Sequence, residues 1–252
     1  MAWNKEGIIR LATVDSTNRY MRDMANELWN RCGSNSFVVV TAGHQTAGRG
    51  QRGNTWSSNA GENLLFSILV RPGEALKVKE QFLLSQAVAL AVHDAMKCYG
   101  IDTRLKWPND IYVGKRKLAG ILMELDYSGT FVEQAIIGIG LNVNQDSFPA
   151  MDRVPVSMKM VLKKEFAVEC VLHNVLDKFK ERYTQLCNSK SDAIATEYSH
   201  LLLGIGEMRT FIDSQGEFTA MIEGVESDGH LLLKRNDGNM TRYAFKEVEM
   251  VL

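Results

Sequence analysis

Apolar residues along this chain switch repeatedly between a period of two and a period of about 3.6, and each switch marks an element boundary. Residues 7–14 read as a short strand, followed by Asp15-Ser16-Thr17-Asn18, a cluster of helix-capping types. Tyr20, Met21, Met24, Ala25, Leu28 and Trp29 then recur at helical spacing, so a helix is predicted to begin at that polar cluster. Residues 37–41 form an apolar run that continues through Gln45 into a glycine-rich stretch, and strand resumes over 63–70 until Arg71-Pro72-Gly73 ends it. Residues 82–99 are apolar on most faces of a helix, which predicts packing across a sheet instead of at its surface. Further strands are predicted at 111–113, 118–125 and 131–142, the last punctuated by Gly138 and Gly140, and 145–155 reads as a loop. Val168, Val171, Leu172, Val175, Leu176, Phe179, Tyr183 and Leu186 mark an amphipathic helix, with a shorter one over 193–203.

The pattern changes after Leu203-Gly204-Ile205-Gly206. Short alternating runs from Met208 onward are separated by Ser214-Gln215-Gly216, Ser227-Asp228-Gly229 and Asn236-Asp237-Gly238, three hairpin signals. They predict a compact β-barrel module of the SH3-like kind docked on a larger domain, with domains over 1–204 and 205–252.

At 252 residues, 45% hydrophobic and 23% charged, the chain can bury a substantial core. Lys+Arg 29 against Asp+Glu 30 leaves a formal net charge of -1, so any attraction for an anion must be local. Cys32, Cys98, Cys170 and Cys187 lie far apart without a C-x-x-C pair, and His44, His93, His173, His200 and His230 are scattered. Neither set has metal-ligand spacing, and no apolar run is long enough to cross a bilayer. Reduced thiols and the absence of an N-terminal signal pattern give the expectation of a cytoplasmic protein.

The candidate chemistry begins at residues 48–56, Gly-Arg-Gly-Gln-Arg-Gly-Asn-Thr-Trp. Glycines let backbone approach an anion, and Arg49 and Arg52 offer forked donors for phosphate or carboxylate. Gly48, Gly50 and Gly53 satisfy G-x-G-x-x-G, yet no helix pattern follows, so a dinucleotide fingerprint is excluded. The same stretch mimics a P-loop with Asn54 where the lysine belongs. Trp56 could stack on a base or simply plug the core. The polar start of the first helix suits a small polar ligand, although Ser16 or Thr17 capping the helix reads equally well. In Lys106-Trp107-Pro108-Asn109-Asp110 the proline leaves Asn109 and Asp110 at an irregular point between short strands. Lys117 opens the next strand. It is either part of a solvated basic hairpin, Lys115 to Lys117, or points inward and requires an anionic partner.

Five blocks together resemble the biotin protein ligase family, in order and over nearly the whole chain. They are Val14-Asp15-Ser16-Thr17-Asn18, Gln45-Thr46-Ala47-Gly48-Arg49-Gly50, Lys106-Trp107-Pro108-Asn109-Asp110, Arg116-Lys117-Leu118-Ala119-Gly120-Ile121 and Gly138-Ile139-Gly140-Leu141-Asn142. The resemblance implies an α+β catalytic domain related to class II aminoacyl-tRNA synthetases, with a mixed sheet, flanking helices and a small C-terminal barrel. It implies that biotin and ATP form biotinyl-5'-AMP, from which a lysine of a biotin carboxyl carrier domain takes the biotinyl group. Mg²⁺ would accompany ATP without a dedicated protein site. Biotin-binding residues would be Ser16, Thr17, Asn18, Gln45, Arg49, Gly50, Gln51, Lys117, Gly120 and Gly138. The nucleotide would meet Arg49, Arg52, Trp56, Asn109, Lys117 and Asn142. Lys117, Arg49 and Arg52 would neutralise the reacting anions, and Asp110 would orient or deprotonate the acceptor lysine.

Two features depart from the family pattern. Gln51 stands where members often carry a further arginine, which implies weaker retention of the adenylate. Only 14 residues precede Asp15, too few for a winged helix-turn-helix, so no DNA binding is expected, and the balanced charge and short apolar runs give no expectation of a membrane partner. Homodimerisation is left open. The rival readings are a lipoate-type ligase or acyltransferase of the same fold, or a non-catalytic biotin-sensing or carrier-binding module.

Overall fold

The computed structural model describes residues 2–3, 7–32, 37–149, 154–188 and 191–252; the side chains of Ala2, Trp3, Cys32 and Arg52 lie outside that description. The first elements are β1 (Ala2–Trp3), β2 (Ile8–Val14), α1 (Thr17–Cys32), β3 (Val38–Gln45), β4 (Leu64–Val70) and β5 (Gly73–Lys77). α2 (Phe82–Cys98) is followed by β6 (Arg104–Lys106), β7 (Asp110–Val113), β8 (Arg116–Ser128) and β9 (Phe131–Leu141). Next come α3 (Met158–Leu162), α4 (Val168–Cys187) and α5 (Ser191–His200). The chain ends with β10 (Met208–Asp213), β11 (Gly216–Val225), β12 (Leu231–Arg235), β13 (Met240–Tyr243) and β14 (Val248–Met250).

Among the described residues, nine strands form one mixed sheet in the order β1-β2-β3-β4-β9-β8-β7-β6, with β5 joined to β9. Strands β2 and β3 run parallel, while β3-β4, β4-β9 and β9-β8 are antiparallel. Alternation decides what each face becomes. Val39, Phe66, Ile68, Ile137 and Ile139 point to one side and join the core beneath α2 and α4. α2 is buried nearly all round because it lies between the sheet and the helices α4 and α5, as its unbroken apolar pattern predicts. α4 turns Val171, Leu172, Val175, Leu176, Phe179, Tyr183 and Leu186 inward.

On the other face, Ile9, Val38, Val40, Leu69 and Ile136 are covered by Met21, Ala25 and Leu28 of α1. That helix roofs only part of the sheet. Beyond it the same face carries Ser67 on β4, Gly138 and Gly140 on β9 and Gly120 beside Leu122 on β8, so three glycines leave bare patches in the uncovered floor.

The C-terminal module is a five-stranded antiparallel sheet in the order β13-β12-β11-β10-β14. All three sequence-predicted turns fall between its strands, with Gly216, Gly229 and Gly238 at φ 120, 98 and 85. It docks on the main domain through an aromatic junction. Trp107 Nε1 donates to the Gly229 carbonyl at 2.9 Å, and Phe245 packs against Trp107 and Phe82 with ring centroids 5.3 and 5.9 Å apart. Residues 150–153 of the predicted loop lie outside the described part. The short strands β1 and β5 and the helix α3 carry no pattern long enough to predict.

Candidate active site

The bare half of the sheet is the floor of a cleft of about 1720 Å³ whose opposite wall is the C-terminal sheet. At the α1 end, Ser16, Thr17, Asn18 and Gln45 are all buried. Thr17, Asn18 and Gln45 belong to one network beside the buried Ser16: the main-chain N–H and hydroxyl of Thr17 both donate to Gln45 Oε1, at 2.7 and 3.1 Å. Ser67 Oγ lies 2.8 Å from Thr17 Oγ1 and 2.6 Å from Asn18 Oδ1. Asn18 Nδ2 donates to Glu124 Oε2 at 3.1 Å. Burying this many polar atoms is stabilising only when they satisfy one another, and the reward is a bed of fixed donors and acceptors. The Thr17 hydroxyl therefore reaches across to β3 and β4 instead of merely capping its helix.

Gly138 and Gly140 exist because of what lies over them. A methyl group on Gly138 would fall 2.3 Å from Asn18 Oδ1, and one on Gly140 would fall 2.4 Å from Trp56 Cε2. Gly120 sits across the β8–β9 ladder from Gly140, with Trp56 Cζ3 and Lys117 Nζ 3.1 and 3.2 Å from where its Cβ would be. The Trp56 indole thus lies on a floor that only glycines make flat.

Lys117 resolves the open choice in the sequence. Its ammonium is 2.7 Å from Asp110 Oδ1, with side-chain exposures of 22% and 5%, so it turns into the cleft and is no part of a solvated hairpin. It also stands 5.6 Å from the centre of the Trp56 ring, a cation–π distance. Arg49 is half-exposed, and its Nη1 is 3.3 Å from Glu124 Oε1. The backbone of Arg52 belongs to the 3-10 turn Gln51–Gly53 at the tip of the loop, but its side chain lies outside the described residues. Gly50 and Gln51 line the cleft beside it.

Asn109 and Asn142 line the same cleft while serving as fasteners. Asn109 Nδ2 donates to the Ile121 carbonyl at 2.6 Å, and Asn142 Nδ2 to the Val156 carbonyl at 3.2 Å. The sequence-derived residues whose side chains are described therefore converge on one cavity. What sequence reasoning missed is Ser67, Glu124 and the second wall, where Arg235, Tyr243 and Asp213 interlock at 2.9–3.2 Å. A lone serine in an apolar strand and a glutamate in an alternating one give no signal by themselves. Among the described residues, no cysteine lines the cleft.

The chain matches the Biotin/lipoate A/B protein ligase family over residues 11–142. The bifunctional ligase/repressor BirA of Bacillus subtilis is 32% identical over 228 residues, spanning 89% of this chain and 68% of that protein. The biotin–[acetyl-CoA-carboxylase] ligase of Paracoccus denitrificans is 39% identical over 137 residues, 53% of each chain. Among solved structures, the biotin protein ligase from Aquifex aeolicus in complex with biotin and ATP superposes with a TM-score of 0.80 at 26% identity, covering 98% of this chain and 99% of that one.

Proposed function

The chain belongs to the Biotin/lipoate A/B protein ligase family, and from that membership we propose how its cleft divides the work. It is a biotin protein ligase, forming biotinyl-5'-AMP from biotin and ATP and biotinylating a carrier protein. A biotin carboxylate oxygen attacks the α-phosphorus of ATP and pyrophosphate leaves. An acceptor lysine amine then attacks the acyl carbon, AMP leaves, and the amine loses a proton.

In our reading the buried Ser16 and the network of Thr17, Asn18 and Gln45 take the polar head of biotin, with the backbones of Gly50, Gln51, Gly120 and Gly138 along its length. Trp56, Asn109 and Asn142 take the nucleotide. Arg49, Arg52 and Lys117 meet the carboxylate and the α-phosphate, where fixed cations in a partly dry site oppose the gathering negative charge. Mg²⁺ enters as the companion of ATP. Among the described residues the carboxylate that pairs with Lys117 is Asp110, held by that lysine at 2.7 Å. As substrate anions draw on Lys117, Asp110 becomes available to accept the proton of the acceptor amine, which must be neutral to attack although a free lysine titrates near pH ~10.4. We further propose that residues 1–204 and 205–252 act as catalytic domain and cap, that the acceptor belongs to acetyl-CoA carboxylase or a related carboxylase, and that the protein works in the cytoplasm. No helix among the described residues is long and apolar enough to cross a membrane.

The observation that carries this reading is the single cleft joining the buried polar bed to the Lys117–Asp110 pair across a glycine floor. Incubating a biotin carboxyl carrier domain with the protein, biotin and MgATP should add one biotinyl group by mass spectrometry. Pyrophosphate should be released only when both biotin and ATP are present, and folded protein that releases none would overturn the assignment.

A further inference from the structure

One carboxylate serves two parts of the cleft. Glu124 lies on β8, two residues beyond Leu122 and four beyond Gly120, so it shares their face of the sheet. Its Oε2 accepts from Asn18 Nδ2 at 3.1 Å, while its Oε1 faces Arg49 Nη1 at 3.3 Å. Arg22 stands farther off, 3.9 Å from Oε2, and has its own partner in Asp126 at 3.3 Å. The side chain is only 18% exposed, so the charge is partly shielded from water and its pull on a neighbouring guanidinium is stronger than at an open surface. Asn18 is held from its other end by Ser67 Oγ on Oδ1 at 2.6 Å. The path Ser67–Asn18–Glu124–Arg49 therefore runs unbroken from the polar bed to the glycine loop.

Arg49 rides on a loop with little burial, and among the described residues Glu124 is its ion-pair partner. Among the described residues its side chain is engaged through Nη1, which leaves the other edge of the guanidinium fork for an anion in the cleft. We propose that Glu124 is a positioning residue that fixes where Arg49 rests and ties that position to the Asn18 amide. The proposal rests on the biotin-ligase reading and deepens it. Glu124 touches neither reacting atom; it acts through Arg49.

The two substitutions Glu124→Gln and Glu124→Ala separate its two bonds. Glutamine keeps an acceptor for Asn18 Nδ2 but offers Arg49 no charge, whereas alanine removes both. Dissociation of chemically synthesised biotinyl-5'-AMP is followed in four proteins: unaltered, Glu124→Gln, Arg49→Ala and the double variant. Glu124→Gln should speed release several-fold in the unaltered background and add nothing once Arg49 is gone. Acceleration of equal size in both backgrounds, or none in either, overturns the proposal. Biotin affinity by calorimetry should stay within about threefold for Glu124→Gln and fall about tenfold for Glu124→Ala, the loss of one buried hydrogen-bond partner. Equal biotin affinities for the two variants would remove the Asn18 half of the link. Should Glu124→Gln fail to fold, Glu124→Asp carries the same expectation for release, because it withdraws the charge from Arg49 by one methylene. Failure of the unaltered protein to bind the adenylate at all would instead refute the ligase reading.

Discussion

Two glycines on one face of β9 should have separable functions. Gly138 and Gly140 are neighbours on the floor, yet an added methyl group would meet the Asn18 amide at the first and the Trp56 indole at the second. Overpacking of this kind typically costs about 1–3 kcal/mol, or roughly five- to a hundredfold in binding. Gly138→Ala should lower biotin affinity by at least about tenfold, and Gly140→Ala should raise the KM for ATP by a similar factor while biotin affinity stays within about threefold. Calorimetry with biotin and pyrophosphate-release kinetics would tell them apart; equal loss of biotin in both variants would make the floor one unit. Gln51 poses the complementary question, since it opens the 3-10 turn at the tip of the loop with no charge. Gln51→Arg adds a forked cation at the cleft, and release of biotinyl-5'-AMP should slow by about tenfold, within the range of one charge-assisted contact. Much of the candidate site was legible because Gly, Arg and Lys, the residue types suited to an anion, cluster in the segments that line the cleft. Ser67 was not, because in the run Leu64–Val70 its meaning depends on which helix start lies above it.

At the scale of elements, residues 48–56 form a small hairpin and not an unstructured loop. Trp56 N–H donates to the Gly48 carbonyl at 2.9 Å, Gly50 N–H to the Asn54 carbonyl at 2.7 Å, and Arg49 bridges Thr55. Gly48 is required at the clamp, where a Cβ would come within 2.3 Å of the Trp56 carbonyl oxygen. The segment that follows is tied down differently, with Gln145 Oε1 accepting from Asn59 N at 3.0 Å and from Asn63 Nδ2 at 2.5 Å. The hairpin has few such ties, so it should open at low free energy. Trypsin without ligand should cut after Arg49 or Arg52 well before it cuts β8 or β9, and biotin with ATP should suppress that cleavage. Unchanged cleavage with both present would count against a ligand-ordered loop. Most strands and helices could be read from periodicity, including the buried α2 and the three C-terminal turns. The order of strands could not: β4 lies beside β9, although about sixty residues separate them, and nothing local in either strand names its partner. β1, β5 and α3 escaped for a simpler reason, being shorter than the window in which a period shows.

For the molecule as a whole, acid should loosen the helical layer beneath the sheet in two stages. Arg182 on α4 joins Asp94 of α2 at 2.7 Å and Glu197 of α5 at 2.6 Å, linking all three helices of that layer. The Arg182 hydrogen bond holds the Glu197 carboxyl below its usual 4.5, against the opposing effect of burial. A depressed carboxylate contributes stability above its unfolded value, and that contribution is lost as pH falls through the folded one. His93, on the same helix as Asp94, has its Nδ1 2.8 Å from Thr103 Oγ1 and is shifted below 6.5 chiefly by burial. Asp94, Asp102 and Glu197 oppose that shift and Lys97 adds to it. Because the unfolded chain takes up this proton first, stability should begin to fall below about pH 6.5, with a slope of at most about 1.4 kcal/mol per pH unit for one proton. Thermal midpoints measured from pH 8 to pH 4 should therefore show an upper decline due to His93 and a lower one, beneath about 4.5, to which Glu197 contributes. His93→Gln, which keeps a polar partner for Thr103 but cannot titrate, should flatten the upper decline and leave the lower one in place. An upper decline that survives the substitution would assign that proton to another group.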